Sequence, residues 1–305
     1  MPHTLLKIIR SNLPDDACDA SRLFHGRGQT FPGLEAVTLD WYPPLLVLTL
    51  YAPFNDEWLN ELKTGLISLF GTRLGCLVVQ SRRIKPEPAR ILHGSLPEHC
   101  IAEENTLRYL LDPLAHQNIG FFPDMAVGRS YVRKIAEGKS VLNLFAYTCG
   151  FSVAAVAGGA KRVVNLDMNR RLLDRGRQNH LLNGQDLRNV AFLGHDLFKT
   201  FGRLKQEGPF DLIILDPPFF QKGSFSAERD WPKILRRLPG LLVENGEVLA
   251  AVSAPELGLS FLRRQIHHVL PGSSIQTHLT GGDEFPELDS DKGLHMLHFR
   301  LPDPA

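Results

Sequence analysis

The sequence predicts an α/β fold: a doubly wound, mostly parallel seven-stranded sheet preceded by a smaller N-terminal α/β domain. Three observations predict it. From Val141 onward, short β-branched or apolar runs alternate with longer helical stretches, the pattern of a parallel sheet built by crossover connections. The 305 residues are about twice the length of an ordinary single core. The segment before residue 113 lacks the alternation. Two domains are therefore expected, 1–112 as a small mixed module and 113–305 as the parallel-sheet domain.

The C-terminal strands are expected at 141–145, 162–167, 189–194, 211–216, 247–252, 274–279 and 295–300. The stretch 169–183 reads as a helix with apolar Leu172, Leu173, Leu181 and Leu182, and Asn183-Gly184 supplies its stop signal. The last two runs flank an acidic, turn-rich segment, TGGDEFPELDSDKG, with no helical period, so they are expected to pair antiparallel at the sheet edge. In the N-terminal module, strands are expected at 34–41 and 45–51 around Pro43-Pro44, a helix at 57–69 and a further strand near 75–80.

Composition excludes whole classes. A hydrophobic fraction of 43% and a charged fraction of 22% are ordinary globular usage. Net charge is +1, with 11 Lys and Arg against 13 Asp and Glu up to residue 120 and 23 against 20 after it, so neither half is a polybasic tail. A nucleic-acid footprint must be local. Two stretches qualify, Arg170, Arg171, Arg175 and Arg177, and Lys233, Arg236 and Arg237, each of which reads equally well as a solvated helix face. Cys18, Cys76, Cys100 and Cys149 lie far apart, without zinc-ligand spacing or a disulfide framework, and no metal site is expected. Lys7 and Arg10 interrupt the first apolar run, so a signal peptide is not expected, nor a membrane span; a cytoplasmic protein is.

The chemistry concentrates at strand ends. The run NLFAYTCGFS (143–152) is a strand, a tight turn and a helix opening, which can present backbone N–H groups to a carboxylate or phosphate. Only Gly150 lies in the turn, so it is not the GxGxxG of a dinucleotide site, and a nicotinamide dehydrogenase is disfavoured. His267 and His268 sit in an expected helix rather than in a proton-transfer motif. Asp167 ends the second strand where a carboxylate can accept from both ribose hydroxyls, with Met168 beside it. Taken alone it would read as a helix cap; the acids in register at the neighbouring strand ends favour the nucleoside reading. Asp196, in GHD, can accept from an adenine amino group while Leu197 packs on the ring. Asp216-Pro217-Pro218-Phe219 follows the fourth strand: a carboxylate and a proline-held carbonyl can accept from an exocyclic amine, while Phe219 or Phe220 offers a stacking face.

From Asn118 to Phe220 the sequence resembles the class I methyltransferases of bacterial ribosomal RNA, the large-subunit methyltransferase I and K/L family. NLFAYTCGFS, VVNLD, GHDLF and LDPPFF fall in the family's order, and RLFHGRGQTFPGLEAVTLD (22–40) is similar to its small preceding domain. The resemblance implies a Rossmann-like methyltransferase domain and S-adenosylmethionine as cofactor. Asn143, Tyr147, Thr148 and Gly150 would lie at its methionine end, Asp167 at the ribose, Asp196 at the adenine and Asp216 at the catalytic face. In the family a Gly-aromatic-aromatic stretch before Asp-Gln-Arg closes over the cofactor; here Gly120-Phe-Phe-Pro-Asp124 is followed by Met125-Ala126, so Asp124 is kept and the Gln-Arg is lost.

A counterpart of the PUA domain of some members is not expected, and no Cys follows Cys149 in this sequence, which disfavours covalent cytosine C5 chemistry. The expected function is N-methylation of a base in ribosomal or other structured RNA, with RNA as partner. Two alternatives stay open: a small-molecule or protein methyltransferase, and a non-catalytic nucleoside-binding protein using Gln221–Asp230 for a partner.

Overall fold

The computed structural model describes residues 2–13, 19–82, 87–115, 118–221, 225–254 and 256–301. Two units result, Met1–Asp124 with Gly282–Asp289, and Met125–Gly281 with Ser290–Ala305. The first unit runs to Asp124, beyond the expected boundary at residue 112, and Pro113, Ile119 and Phe121 each contact its groups. Gln80 Nε2 donates to the Pro113 carbonyl (3.0 Å), the Asp112 amide donates to the Ile119 carbonyl (2.6 Å), and the Phe121 ring packs on Tyr109 at 5.0 Å. The acidic segment 282–289 also belongs to the first unit: the Leu288 amide donates to Gly28 O (2.8 Å), and Glu284 Oε2 accepts from the Arg22 amide (2.8 Å).

The first unit contains α1 (Pro2–Asn12), β1 (Ser21–His25), β2 (Val37–Tyr42), β3 (Leu45–Leu50), α2 (Asp56–Phe70), β4 (Cys76–Ser81), β5 (Glu87–Gly94), β6 (Ile101–Glu104) and β7 (Leu107–Leu110). β1 to β5 form one sheet in sequence order, antiparallel except for the β3–β4 pair. α2 begins where Asn55 accepts from the Trp58 amide (2.8 Å) and buries Leu59, Leu62, Leu66 and Phe70 at helical spacing. α1, hidden in a broken apolar run, buries Leu5 and Ile9 four residues apart. The strand expected from residue 34 starts at Val37, since Phe31–Leu34 makes a turn closed by Leu34 N to Phe31 O (3.0 Å). Cys18 lies outside the described residues.

The second unit contains α3 (Ala126–Ile135), β8 (Ser140–Leu144), α4 (Gly150–Ala157), β9 (Arg162–Asp167), α5 (Arg170–Leu182), β10 (Val190–Gly194), α6 (Phe201–Glu207), β11 (Phe210–Leu215), β12 (Phe220–Gln221), β13 (Phe225–Ser226), α7 (Ala227–Leu235), β14 (Leu242–Val252), α8 (Leu259–Val269), β15 (Ser274–Thr280) and β16 (His295–Arg300). The sheet order is β10-β9-β8-β11-β14-β16-β15. The first five strands are parallel, and β15 and β16 form the expected antiparallel pair, with β16 inserted beside β14.

From β8 the chain winds outward to β10, then reverses to β11 and β14. The switch point therefore lies between β8 and β11, at their carboxyl ends. β14 starts five residues before its expected position, because Val243–Gly246 forms an irregularity with Asn245 at φ 57° ahead of the regular pairing from Glu247. Two cores pack against the two faces: Leu204, Phe210, Trp231 and Leu262 in one, Val132, Phe151, Ala155 and Met296 in the other. The stretch Gln221–Asp230, named as a partner loop in the non-catalytic alternative, contains β13 and the first turn of α7, which buries Asp230 and Trp231; residues 222–224 of it lie outside the described ones.

Candidate functional site

Register brings the expected strand-end residues to one edge. Gly194 pairs with Asp167, Leu166 with Leu144, and Leu144 with Leu215, so Asp196, Asp167, the turn after β8 and Asp216 follow the ends of four adjacent strands. Asp167 and Asp216 lie on either side of β8, two strand spacings or about 10 Å apart. Asp124 belongs to the first unit and the other candidates to the second.

The turn after β8 is held in an unusual backbone. Phe145, Tyr147 and Cys149 all have positive φ, at 57°, 49° and 61°, a region that costs non-glycine residues energy unless the surroundings impose it. Three contacts impose it here. Ala146 N donates to Leu166 O (3.0 Å), Cys149 N to Ala146 O (2.7 Å) and Tyr147 N to Asp167 Oδ2 (2.9 Å). The Cys149 side chain is buried against Gly176 of α5, where an added Cβ would stand 2.3 Å from Sγ. Burial pushes the Cys149 thiol well up, so it fills space and is no thiolate nucleophile. α4 then opens at Gly150 with no side chain capping it.

Behind the turn runs a buried polar chain. Asn143 Nδ2 donates to Asn165 Oδ1 (2.9 Å), and Asn165 Nδ2 donates to Ser152 Oγ (2.9 Å). Ser152 Oγ meets His180 Nε2 at 2.9 Å, His180 Nδ1 meets Gln185 Oε1 at 2.6 Å, and Gln185 Nε2 donates to Val153 O (2.9 Å). Because Gln185 Oε1 only accepts, His180 carries its proton on Nδ1, and Nε2 accepts the serine hydroxyl. A second proton would sit in a dry interior against a committed neighbour. Burial accordingly pushes His180 down to about 4. Asn179 Nδ2 adds a bond to Thr148 O (2.9 Å).

Asn143, expected at the methionine end of the cofactor, points its amide donor inward and is 1% exposed. Sequence reasoning missed Ser152, Asn165, Asn179, His180 and Gln185. The available signal was the Asn inside the otherwise apolar run RVVNLD, since a polar residue in a buried strand demands a partner.

Asp167 accepts one backbone N–H on each oxygen, Tyr147 N on Oδ2 and Asn169 N on Oδ1 (2.8 Å). Burial pushes its pKa up, against those two bonds, and no ion pair is formed with it among the described residues. Such a half-buried carboxylate, with one lone pair per oxygen still unspent, suits two neutral O–H donors on adjacent carbons. That is the donor set of a ribose, so the residues present fit a nucleoside cofactor. Met168 is exposed beside it. Asp196 caps the following 3₁₀ turn by accepting from Phe198 N (2.8 Å), and Leu197 packs into the core. Asp216 directly follows β11; Pro217 is buried, while Phe219 is 40% and Phe220 63% exposed. The Phe219 carbonyl accepts from Ala227 N (2.9 Å), which ties this run to α7.

Comparison with known proteins agrees with this geometry. The curated protein "Ribosomal RNA large subunit methyltransferase I" of Aeromonas salmonicida is 37% identical over 194 residues, 62% of this chain and 49% of that protein. The protein of that name from Vibrio cholerae is 33% identical over 196 residues, again 62% of this chain and 49% of its own. The chain thus spans about half the length of the curated relatives it matches. The crystal structure of SMU.776 complexed with SAH superposes with a TM-score of 0.88 at 25% identity, covering 98% of this chain and 82% of that one. The S-adenosylmethionine-dependent methyltransferase model matches residues 21–300, nearly the whole chain and every strand end described above. The chain belongs to the S-adenosylmethionine-dependent methyltransferase family.

Proposed function

We propose that this protein methylates an exocyclic amino group of a base in ribosomal or other structured RNA, with Asp216, Pro217 and Phe219 at the reacting face. The observation that carries this reading is the run Asp216–Phe220, where a carboxylate leaves β11 at the switch point and, after two prolines, two exposed aromatic rings follow. Bound S-adenosylmethionine supplies a methyl group on a sulfonium.

The chain's own residues orient the acceptor. An Asp216 carboxylate oxygen and the carbonyl held by Pro217 accept the two amine hydrogens, which aims the nitrogen lone pair at the methyl carbon. Asp216 or water would then take the one proton that the amine nitrogen sheds on methylation. Phe219 and Phe220 give the base a flat face once it leaves its stack. On the cofactor side, Asp167 with Met168 takes the ribose, Asp196 and Leu197 the adenine, and Tyr147, Thr148 and Gly150 the amino-acid end. Asn143 supports that turn from within.

The names of the relatives support RNA as the acceptor. The test offers methyl-tritiated S-adenosylmethionine with protein-free large-subunit ribosomal RNA, assembled subunits and total protein, then digests the products to nucleosides and peptides. Label in N-methylated guanosine or adenosine is expected. Label in protein or small molecules alone, in 5-methylcytidine, or in nothing would overturn the reading.

A further inference from the structure

The second of the two basic stretches picked out in the sequence, Lys233, Arg236 and Arg237, is not absorbed by the site. In the fold it meets residues from α6 and the turn before it. Lys233 Nζ lies 5.9 Å from the centroid of the Phe198 ring and Arg237 Cζ 5.5 Å from that of Phe201, and the two rings are in edge contact at 6.3 Å. Arg203 Nη1 contacts His195 Nε2 at 3.2 Å, and the Lys205 stem approaches Gly240.

The balance of charge on this strip is unlike that of the chain. Residues 195–207 and 228–240 hold seven Lys and Arg against four Asp and Glu, in a protein of net charge +1. Three of the four acids are committed. Asp230 is buried and accepts from Ser226 N (2.9 Å), Arg229 and Lys233; Glu207 pairs with Arg162 and Arg203; Asp196 caps its own turn. Only Glu228 is an exposed acid there, against seven exposed cations. Lys199, Lys205, Arg236 and Arg237 have no acidic partner among the described residues.

The strip is also joined to the reacting face. Phe198 and Lys199 follow Asp196 at the carboxyl end of β10, and Asp230 anchors both Lys233 and the Ser226 amide of the β12–β13 hairpin, whose other strand begins at Phe220. Arg237 over one half-exposed aromatic ring without a competing carboxylate, and Lys233 over a second while paired with buried Asp230, match the phosphate-and-base alternation of single-stranded or loop RNA.

We infer that the strip from Lys199 and Phe198 through Lys233 and Arg237 to Lys205 and Arg236 is a docking surface for the RNA backbone flanking the methylated base. This rests on the RNA reading above and assigns where the acceptor strand lies. Charge, not the fold of the acceptor, is what the strip reads.

The test compares the wild type with the triple variant Lys205→Gln, Arg236→Gln, Arg237→Gln. A charge-matched control carries Lys7→Gln, Arg10→Gln and Arg90→Gln, exposed positions of the other unit. Binding of protein-free large-subunit ribosomal RNA is measured at several salt concentrations beside calorimetric titration with S-adenosylhomocysteine. The strip variant is expected to keep its S-adenosylhomocysteine affinity, lose RNA affinity by about tenfold or more at low salt, and lower the log–log salt slope by about 2. In turnover, KM for RNA should rise and kcat stay near wild type. An RNA affinity and salt slope unchanged in the strip variant, or lowered equally in the control, overturns the surface while leaving the RNA reading intact. Wild-type protein that binds RNA through the strip but transfers methyl only to protein keeps the surface and overturns the reading. Capture of an acidic protein through the strip, with no RNA binding, overturns the surface as assigned.

Discussion

Asp167 and Asp216, acids at strand ends on either side of β8, are proposed to carry separable tasks. Asp167 holds the turn after β8 and is the carboxylate proposed to take the cofactor ribose, so Asp167→Ala is expected to weaken S-adenosylhomocysteine binding at least 100-fold by calorimetry, roughly two charge-assisted hydrogen bonds. Asp216→Ala is expected to keep that affinity and lose methyl transfer; equal losses of binding in the two variants would refute the division. His180 adds a pH dependence. Its imidazole is held near 4 in the fold and lies at its ordinary value of 6.5 in the unfolded chain, so the unfolded chain takes up the proton first as pH falls. Stability is therefore full above pH 6.5 and falls progressively between 6.5 and 4, by up to about 3 kcal/mol from this group. Thermal melts of the wild type and of His180→Gln over that range check this: the wild type should lose more of its Tm than the variant.

At the scale of elements, the contact between α5 and the turn before α4 fixes the turn proposed to meet the cofactor. Gly176 is required there by proximity rather than by its own dihedral, because Cys149 Sγ occupies the space of its Cβ. Gly176→Ala is expected to cost about 1–3 kcal/mol by overpacking and to weaken cofactor binding with it. Combining it with Cys149→Gly, which removes the obstructing side chain and relieves a φ of 61°, should restore most of the loss in chemical denaturation. An additive double variant would show that the turn is not set by this contact. The other half of the sheet is tied differently. Glu247 of β14 faces His298 and accepts from Lys139 and from Arg300 of β16 (2.8 Å), which together hold its carboxyl well below the usual range against the cost of burial.

At the scale of the molecule, each unit has its own apolar core, so the two can lose structure for separate reasons. The first unit contains a buried ion pair: Arg22 bridges Asp40, contacts His25 Nδ1 at 2.8 Å and lies 5.0 Å from the Phe285 ring centroid. Burial alone would lower the pKa of this guanidinium, and Asp40 overrides that and raises it. Arg22→Met leaves the Asp40 carboxylate buried without its cation and is expected to destabilise this unit by about 3–5 kcal/mol. Arg22→Met combined with Asp40→Leu should recover most of the loss. Calorimetric scans with and without S-adenosylhomocysteine check which transition moves, since ligand should shift the one belonging to the cofactor unit. A loss in the transition that ligand shifts, with the other unchanged, would contradict the assignment.

Much of this was legible along the chain because it depends on local pattern. The alternation of apolar runs with helical stretches determined the seven strands, since a buried parallel strand needs a continuous apolar run and its crossover needs a helix. The acids and prolines after those runs determined which side chains emerge at one edge, because parallel strands end together. Tertiary structure alone decided the rest. The chain Asn143–Asn165–Ser152–His180–Gln185 and the Cys149–Gly176 contact join residues up to 28 positions apart, and the 282–289 segment pairs with β1 across more than 250 residues. Such contacts have no sequence period, since they follow from which surfaces the packed sheet and helices bring face to face. The basic strip shows the same division: its charges were visible in the sequence, but the aromatic rings beneath them and the sequestered acids beside them appear only once α6 and α7 pack on the same face.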